Sequence, residues 1–259
     1  MRDRSNDFGA QRAGDYPTFF VGFDPSGDGF SRSVVVTVVF DGERCIVLSV
    51  ETLTVCSTDV AVGEWLVNHA LAIRSTIAGM RFAKAVFCIE NNSILVAESV
   101  HRAIRESHIS NYALMHENRQ YASPSRGGNP GNIDVRAGTR TTQASKEQIM
   151  ARIRNLLLRK ALVFHHQFFL PHPDKQPRGE VTNARDLFVD EISHIHAEQV
   201  RPKGPVASQT AINLKYKGFN PDGSRAKDDK VMALGFCLLC QPLFDMAPDL
   251  YSVLPPLYQ

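Results

Sequence analysis

Apolar residues near the start of the chain fall in three short, almost unbroken runs separated by polar punctuation. Phe19–Phe23 is nearly continuous, as expected of a strand covered on both faces. Arg32–Phe40 (RSVVVTVVF) and Arg44–Val50 (RCIVLSV) are rich in β-branched residues, with Asp41-Gly42 between them as a hairpin turn. These runs predict a three-stranded meander. The period then lengthens: Val62, Trp65, Leu66, His69, Ile73 and Thr76 share one face of a helix from Thr58 to about Gly79. Ala85–Ile89 (AVFCI) reads as a buried strand that delivers Glu90 at its end, Ile94–Ser107 as a helix and Tyr112–His116 as a short strand. Asn118–Arg140 is turn-rich and long, and loops of that length inside a domain are functional or disordered. Helices are expected at Ser145–Lys160 and Asn183–Glu198. Gly204–Arg225 reads as loop with a short strand at Ala211–Tyr216, and a last helix spans Asp228–Cys240 with Asp at its start.

The order β-β-β-α-β-α-β-α implies an α/β fold. A right-handed crossover through the first helix sets the fourth strand parallel to another strand of the sheet. If that neighbour is the first strand, Asp24 and Glu90 emerge side by side at the carboxyl ends, the edge where open α/β sheets bind ligands. The 259 residues, 43% apolar, fit one generous domain or two small ones, and no internal repeat or boundary divides them. Residues 1–17 are expected to be a flexible tail, 18–245 the folded domain and 246–259 a C-terminal tail.

Charge and cysteine usage narrow the setting. No apolar run is long enough to span a bilayer, and residues 1–17 lack the apolar centre of a signal peptide, so an intracellular protein without a membrane partner is expected. Five cysteines, an odd number in apolar runs, suggest reduced buried thiols. The formal net charge is only +2, but nine Arg or Lys between Asn118 and Lys160 face only Asp134 and Glu147. That local excess is an electrostatic footprint for a polyanion, and equally suits a solvated surface loop.

Three acidic positions share a context: Asp24 and Glu90 each end a buried strand, and Asp228-Asp229 open a helix. Brought together, such carboxylates repel one another and need cations to stay ionised. Hard divalent ions suit oxygen donors of this kind, and two of them roughly 3.5–4 Å apart can clamp a phosphodiester under attack by water. Any one of these acids alone is more simply a turn, strand-end or helix-cap residue; the conjunction favours a site. Asp24-x-Ser26-x-Asp28-Gly29 also imitates the start of an EF-hand loop. Its twelfth position is Val35, where a bidentate Glu is required, so that reading fails. Pro25 keeps Asp24 extended, and Asp28 is either a turn residue or an outer acid. Cys237-Leu-Leu-Cys240 lacks a second ligand pair, and His165-His166 and His194-Ile-His196 lack i, i+4 spacing. These are read as structural.

Four segments together resemble the C-terminal nuclease domain of viral terminase large subunits, herpesvirus type, a family with an RNase H-like fold. They are Phe20–Gly29 (FVGFDPSGDG), Val86–Ser93 (VFCIENNS), Gly138–Met150 (GTRTTQASKEQIM) and Lys227–Leu234 (KDDKVMAL). The resemblance spans about Phe19 to Cys240. It implies a mixed central sheet, an antiparallel meander plus parallel strands, flanked by helices. It implies an endonuclease that cuts concatemeric viral DNA during packaging with two divalent metal ions, Mg2+ or Mn2+. Asp24, Glu90 and one or both of Asp228 and Asp229 would be catalytic metal ligands. Lys146 would lie near the scissile phosphate, and Asn91 or Asn92 near the metals. Arg126, Arg136, Arg140, Lys146 and Arg152 are the expected DNA contacts. Double-stranded DNA, a packaging ATPase domain and other terminase or portal subunits are the implied partners, and the host nucleus the setting. The family's ATPase is not implied for this chain, which contains no GxxxxGK[ST] phosphate loop. A junction resolvase or exonuclease of the same fold, and a non-catalytic DNA-binding or assembly module, are the alternatives.

Overall fold

The apolar runs at the start of the chain form the middle of a mixed sheet. In chain order the elements are β1 (Thr18–Asp24), β2 (Ser33–Asp41), β3 (Arg44–Leu53), α1 (Asp59–Thr76), β4 (Lys84–Ile89), α2 (Ile94–Glu106), β5 (Tyr112–Leu114), β6 (His116–Gln120) and β7 (Ile133–Ala137). There follow α3 (Gln143–Leu158), β8 (Leu162–Phe164), α4 (Ala184–Ser193), β9 (Ile195–Val200), β10 (Asn213–Phe219), β11 (Arg225–Ala226) and α5 (Asp229–Met246). This computed structural model describes residues 17–25, 33–53, 58–90, 94–107, 110–120, 133–139, 141–165, 184–200, 213–219, 225–226 and 228–248. The main sheet has six strands in the order β5-β4-β1-β2-β3-β8. β1, β2 and β3 are the antiparallel meander, while β4 lies parallel to β1, β5 parallel to β4, and β8 parallel to β3. The neighbour of β4 is therefore the first strand.

Side chains of a strand alternate between faces, and here the alternation sorts them into two cores. Phe19, Val21 and Phe23 of β1 pack with Leu66 of α1 and Val100 of α2. Phe20 of β1, with Val86 and Cys88 of β4, packs on the other face with Ile149 of α3, Phe188 of α4 and Phe236 of α5. Burial on both faces of the sheet explains why these strands read as continuous apolar runs.

Local signals account for two helix starts. Thr58 caps α1 by accepting from the Ala61 amide at 3.2 Å. Thr142 caps α3 in a reciprocal box with Ser145, so α3 starts two residues earlier than the Ser145 expected from the pattern. Thr76, expected on the inner face of α1, is exposed; Val67 and Ala70 are buried instead. The helix expected over Asn183–Glu198 stops at Ser193, because Ile195–Val200 pairs antiparallel with β10, which pairs with β11. Part of the expected loop at Asn118–Arg140 is a hairpin arm: His116–Gln120 pairs with Ile133–Ala137. α5 runs past Cys240 and through Pro242. Proline has no N–H for the carbonyl four residues back, Leu238, and Arg152 of α3 donates Nη1 to that oxygen. Among the described residues no helix is long and apolar enough to cross a membrane.

One buried polar cluster sits between α1 and the sheet. His69 Nε2 lies 2.9 Å from Thr37 Oγ1 and 3.2 Å from Ser49 Oγ, and Trp65 stacks on its ring. Burial lowers the His69 pKa from 6.5 to about 4. Glu51 Oε1, 3.8 Å from Nδ1, is too distant for a hydrogen bond that would hold the charged form. Since the folded-state pKa is depressed, the unfolded chain takes up this proton first as pH falls, and stability drops between about 6.5 and 4. The expected loss is up to about 3 kcal/mol in urea unfolding. In His69→Gln the pH slope across that window should shrink by about one proton.

Candidate active site

Asp24 ends β1 and Glu90 directly follows β4, in adjacent parallel strands where Phe23 is level with Ile89 and the Glu90 amide donates to the Phe23 carbonyl at 3.2 Å. Counting by twos from Phe20 reaches Asp24, and from Val86 reaches Glu90. Both acids therefore stand on the face covered by α3, α4 and α5.

α5 is seated on that face through Gly22. A Cβ at Gly22 would lie 1.9 Å from the Ala233 carbonyl oxygen, so the helix backbone rests directly on the strand. From this contact Asp24 is two strand residues onward, about 7 Å. Asp229 is four helical residues back toward the start of α5, about 6 Å. The two elements run in opposite directions, as the contact of Phe20 with Phe244 shows. Strand end and helix start thus arrive at the same edge.

A third segment joins them. The Gly138 amide donates to the Met115 carbonyl at 2.9 Å and the Thr139 amide to Ile89 at 2.6 Å, continuing the sheet beside Glu90. Gly138 holds φ 93°, a left-handed conformation that favours glycine. Thr141 then donates its hydroxyl to Glu90 Oε1, and Thr142 opens α3 with Lys146 on its first turn.

The start of α5 is held from outside. Asp228 occupies the N-cap position but makes no side-chain cap hydrogen bond. Glu191 of α4 accepts from the Lys230 amide at 2.6 Å, the Val231 amide at 2.9 Å and Lys230 Nζ at 2.9 Å. Burial raises the pKa of Glu191, and Lys230 with the two amides opposes that shift.

The acids meet electrostatically at Asp24, whose pKa is raised from 3.8 to about 8, first by burial and then by Glu90, Asp229 and Asp228; among the described residues Lys146 opposes the rise. Four carboxyl groups and one ammonium thus share the carboxyl edge of the sheet. Among the described residues, no three His, Cys, Asp or Glu side chains are grouped so that they could hold a metal ion as they stand. The donor set is nonetheless all oxygen and mutually repulsive, which suits hard divalent cations.

The other expected residues divide. Arg152 is on α3 but its guanidinium serves Leu238 of α5. Arg136 lies on β7, its side chain not described, and Arg126, Arg140, Asn91, Asn92 and Asp28 lie outside the described residues. Cys237 and Cys240 are buried free thiols, Cys240 Sγ lying 3.3 Å from Thr139 Oγ1. Sequence reasoning passed over Thr141, Glu191 and Lys230. Thr141 was within reach of it, lying in the Gly-Thr…Lys stretch already singled out; Glu191 carries no local signal.

No protein-family model matches the chain, and no curated protein does. Solved structures share its fold. The Mn-soaked, inhibitor-bound human cytomegalovirus terminase nuclease domain superposes with a TM-score of 0.58 at 14% identity, covering 91% of this chain and 89% of that one. The Mn-soaked domain without inhibitor gives 0.50 at 14% identity, covering 71% of this chain and 79% of that one. The fold, a six-stranded mixed sheet flanked by helices, is the one these nuclease domains have.

Proposed function

We propose that this chain is a metal-dependent DNA endonuclease of the terminase type, cutting concatemeric viral DNA during genome packaging. The observation that carries this reading is the meeting of Asp24, Glu90, Asp228 and Asp229 at one sheet edge, with Asp24 raised to about 8 by burial and by the other three. The structures with the same fold are Mn-soaked nuclease domains, which supports divalent metal use. Two ions, Mg2+ or Mn2+, held by Asp24, Glu90 and one or both of Asp228 and Asp229, would supply the charge that activates water and stabilises the leaving oxygen.

The chain's own residues do the rest. Thr141 fixes Glu90 Oε1. Lys146, the cation acting on Asp24 among the described residues, is set to hold the scissile phosphate, and the positive end of α3 adds to its pull on an anion. Arg126, Arg136 and Arg140 would grip the duplex backbone without reading its sequence. Arg152, tied to Leu238, contributes to the basic field while bracing α3 against α5. The partners in this reading are double-stranded DNA, a packaging ATPase domain and other terminase or portal subunits, in the nucleus of an infected cell.

Supercoiled plasmid incubated with Mn2+, Mg2+ or EDTA tests this. Wild type should nick it only with metal. Glu90→Ala, Asp228→Ala and Asp229→Ala assign the ligands, with a loss of at least about a hundredfold for each true one. Cutting should weaken steeply with salt as counterions compete for the phosphates. A four-way junction cut in preference to plasmid would indicate a resolvase. Tight DNA binding with no cutting, indifferent to Glu90→Ala, would indicate a binding module. Equal cutting by wild type and Asp24→Ala would overturn the site.

A further inference from the structure

We propose that Glu191 of α4 is a positioning residue that sets how Asp228 and Asp229 are presented to the divalent ions; this rests on the metal-site reading above. The first four amides of a helix have no partner within it, and a side chain at the N-cap ordinarily satisfies one by accepting from the second or third helical residue. Asp228 is the residue type favoured for that task and stands at that position, yet its side chain makes no cap hydrogen bond. The second and third amides of α5, Lys230 and Val231, donate instead to the same oxygen of Glu191, at 2.6 and 2.9 Å. The other oxygen takes Lys230 Nζ at 2.9 Å.

The anchor is rigid and discharged. Glu191 is 6% exposed. Phe188, one turn earlier on the same face of α4, is fully buried and packs edge-to-face on Phe164 with ring centroids 5.9 Å apart. The pairing with Lys230 balances the Glu191 charge, so the anchor adds no net repulsion beside the four acids.

The consequence concerns two carboxylates at once. With its amides satisfied from α4, α5 has no need of the Asp228 side chain, which is left to act on Asp24 together with Asp229. Without Glu191, Asp228 stands at the N-cap position from which a side chain ordinarily accepts from the Lys230 and Val231 amides. Capping would fold its carboxylate back over the helix end and away from Asp24. A residue that touches neither metal nor DNA would thereby control the affinity of the site for ions.

The test is the Mn2+ midpoint, measured both by calorimetric binding and by plasmid nicking, at a temperature where circular dichroism shows each variant folded. Glu191→Ala should raise the midpoint about tenfold or more, with nicking regained at high Mn2+, as expected when support for a ligand is lost. Glu191→Asp keeps the charge but is one methylene too short to reach both amides, and should raise it about threefold or more. Glu191→Gln keeps the accepting oxygen and should stay within about threefold of wild type. An unchanged midpoint in Glu191→Ala, or in Glu191→Asp if the Ala variant does not fold, overturns the proposal even if thermal stability falls. If wild type itself neither binds Mn2+ nor nicks DNA, the metal-site reading has failed, and the positioning role falls with it.

Discussion

Asp24→Asn is expected to abolish metal-dependent cleavage and, in EDTA at pH 8, to melt at a higher temperature than wild type. The second effect follows from the rise in the Asp24 pKa from 3.8 to about 8. A group whose folded-state pKa is raised favours the fold fully below its unfolded value, and that contribution is lost as pH climbs through the folded value. The window here runs from about 4 to about 8. Above it, wild type carries a carboxylate that is largely desolvated and faces three others, a handicap of up to about 5 kcal/mol at 1.36 kcal/mol per pH unit. Asparagine has a similar shape and no charge. The gain should be near zero at pH 4 and largest at pH 8 to 9, on the order of 10 °C.

Metal should reverse the ranking. Ions that bind only the folded state stabilise it by mass action, so Mn2+ should raise the wild-type midpoint and scarcely move Asp24→Asn. Thermal melts at pH 4, 6 and 8, with EDTA or Mn2+, check both signs without any assay of activity. A variant that melts at or below wild type at pH 8 in EDTA would contradict the electrostatic account of the site. Function and stability oppose each other at this residue because the ligands are gathered before the cation that justifies them.

Gly22→Ala should be the most damaging alanine substitution among the described glycines. The added Cβ would stand 1.9 Å from the Ala233 carbonyl oxygen and 2.8 Å from Cys237 Sγ. The first obstacle is helix backbone, which cannot rotate away as a side chain can. α5 must lift, at an expected cost of about 3 kcal/mol or more in urea unfolding. Gly235→Ala is the comparator: the three atoms nearest its Cβ would all belong to the Ile149 side chain, which can shift, and about 1 to 2 kcal/mol is expected. The two variants should separate further in plasmid nicking. Lifting α5 at Gly22 carries Asp228 and Asp229 away from Asp24, and a misplacement of about 1 Å can reduce rate about a hundredfold. Similar unfolding midpoints for the two glycine variants would refute the close-packing argument.

Different parts of this architecture are legible in the sequence to different degrees. Asp24 and Glu90 stand out because an acid at the end of an apolar run is a local pattern, and the crossover through α1 makes a parallel neighbour for β4 a matter of chain connectivity. The small sheet of β9, β10 and β11 is not legible: IHAEQV and NLKYKGF carry little apolar pattern, and their pairing is a backbone event between distant segments. Pro242 hides the last turns of α5, since a proline ordinarily ends a helix unless, as here, an Arg152 from elsewhere donates to the orphaned Leu238 carbonyl. Glu191 is equally silent, because a helix cap supplied by another helix has no spacing rule.

The sequence by itself determined that Asp24 and Glu90 each end an apolar strand, and that the crossover through α1 sets β4 parallel to another strand. That this neighbour is β1, in the register that brings both acids to one face and one edge, was decided by the tertiary pairing. Only the tertiary structure decided that α5 rests on Gly22, that Glu191 holds its first turn, that Thr141 meets Glu90, and that Asp24 is pushed to about 8. Capping and desolvation act through space between groups far apart in the chain. They take their values from packing, which no local pattern encodes.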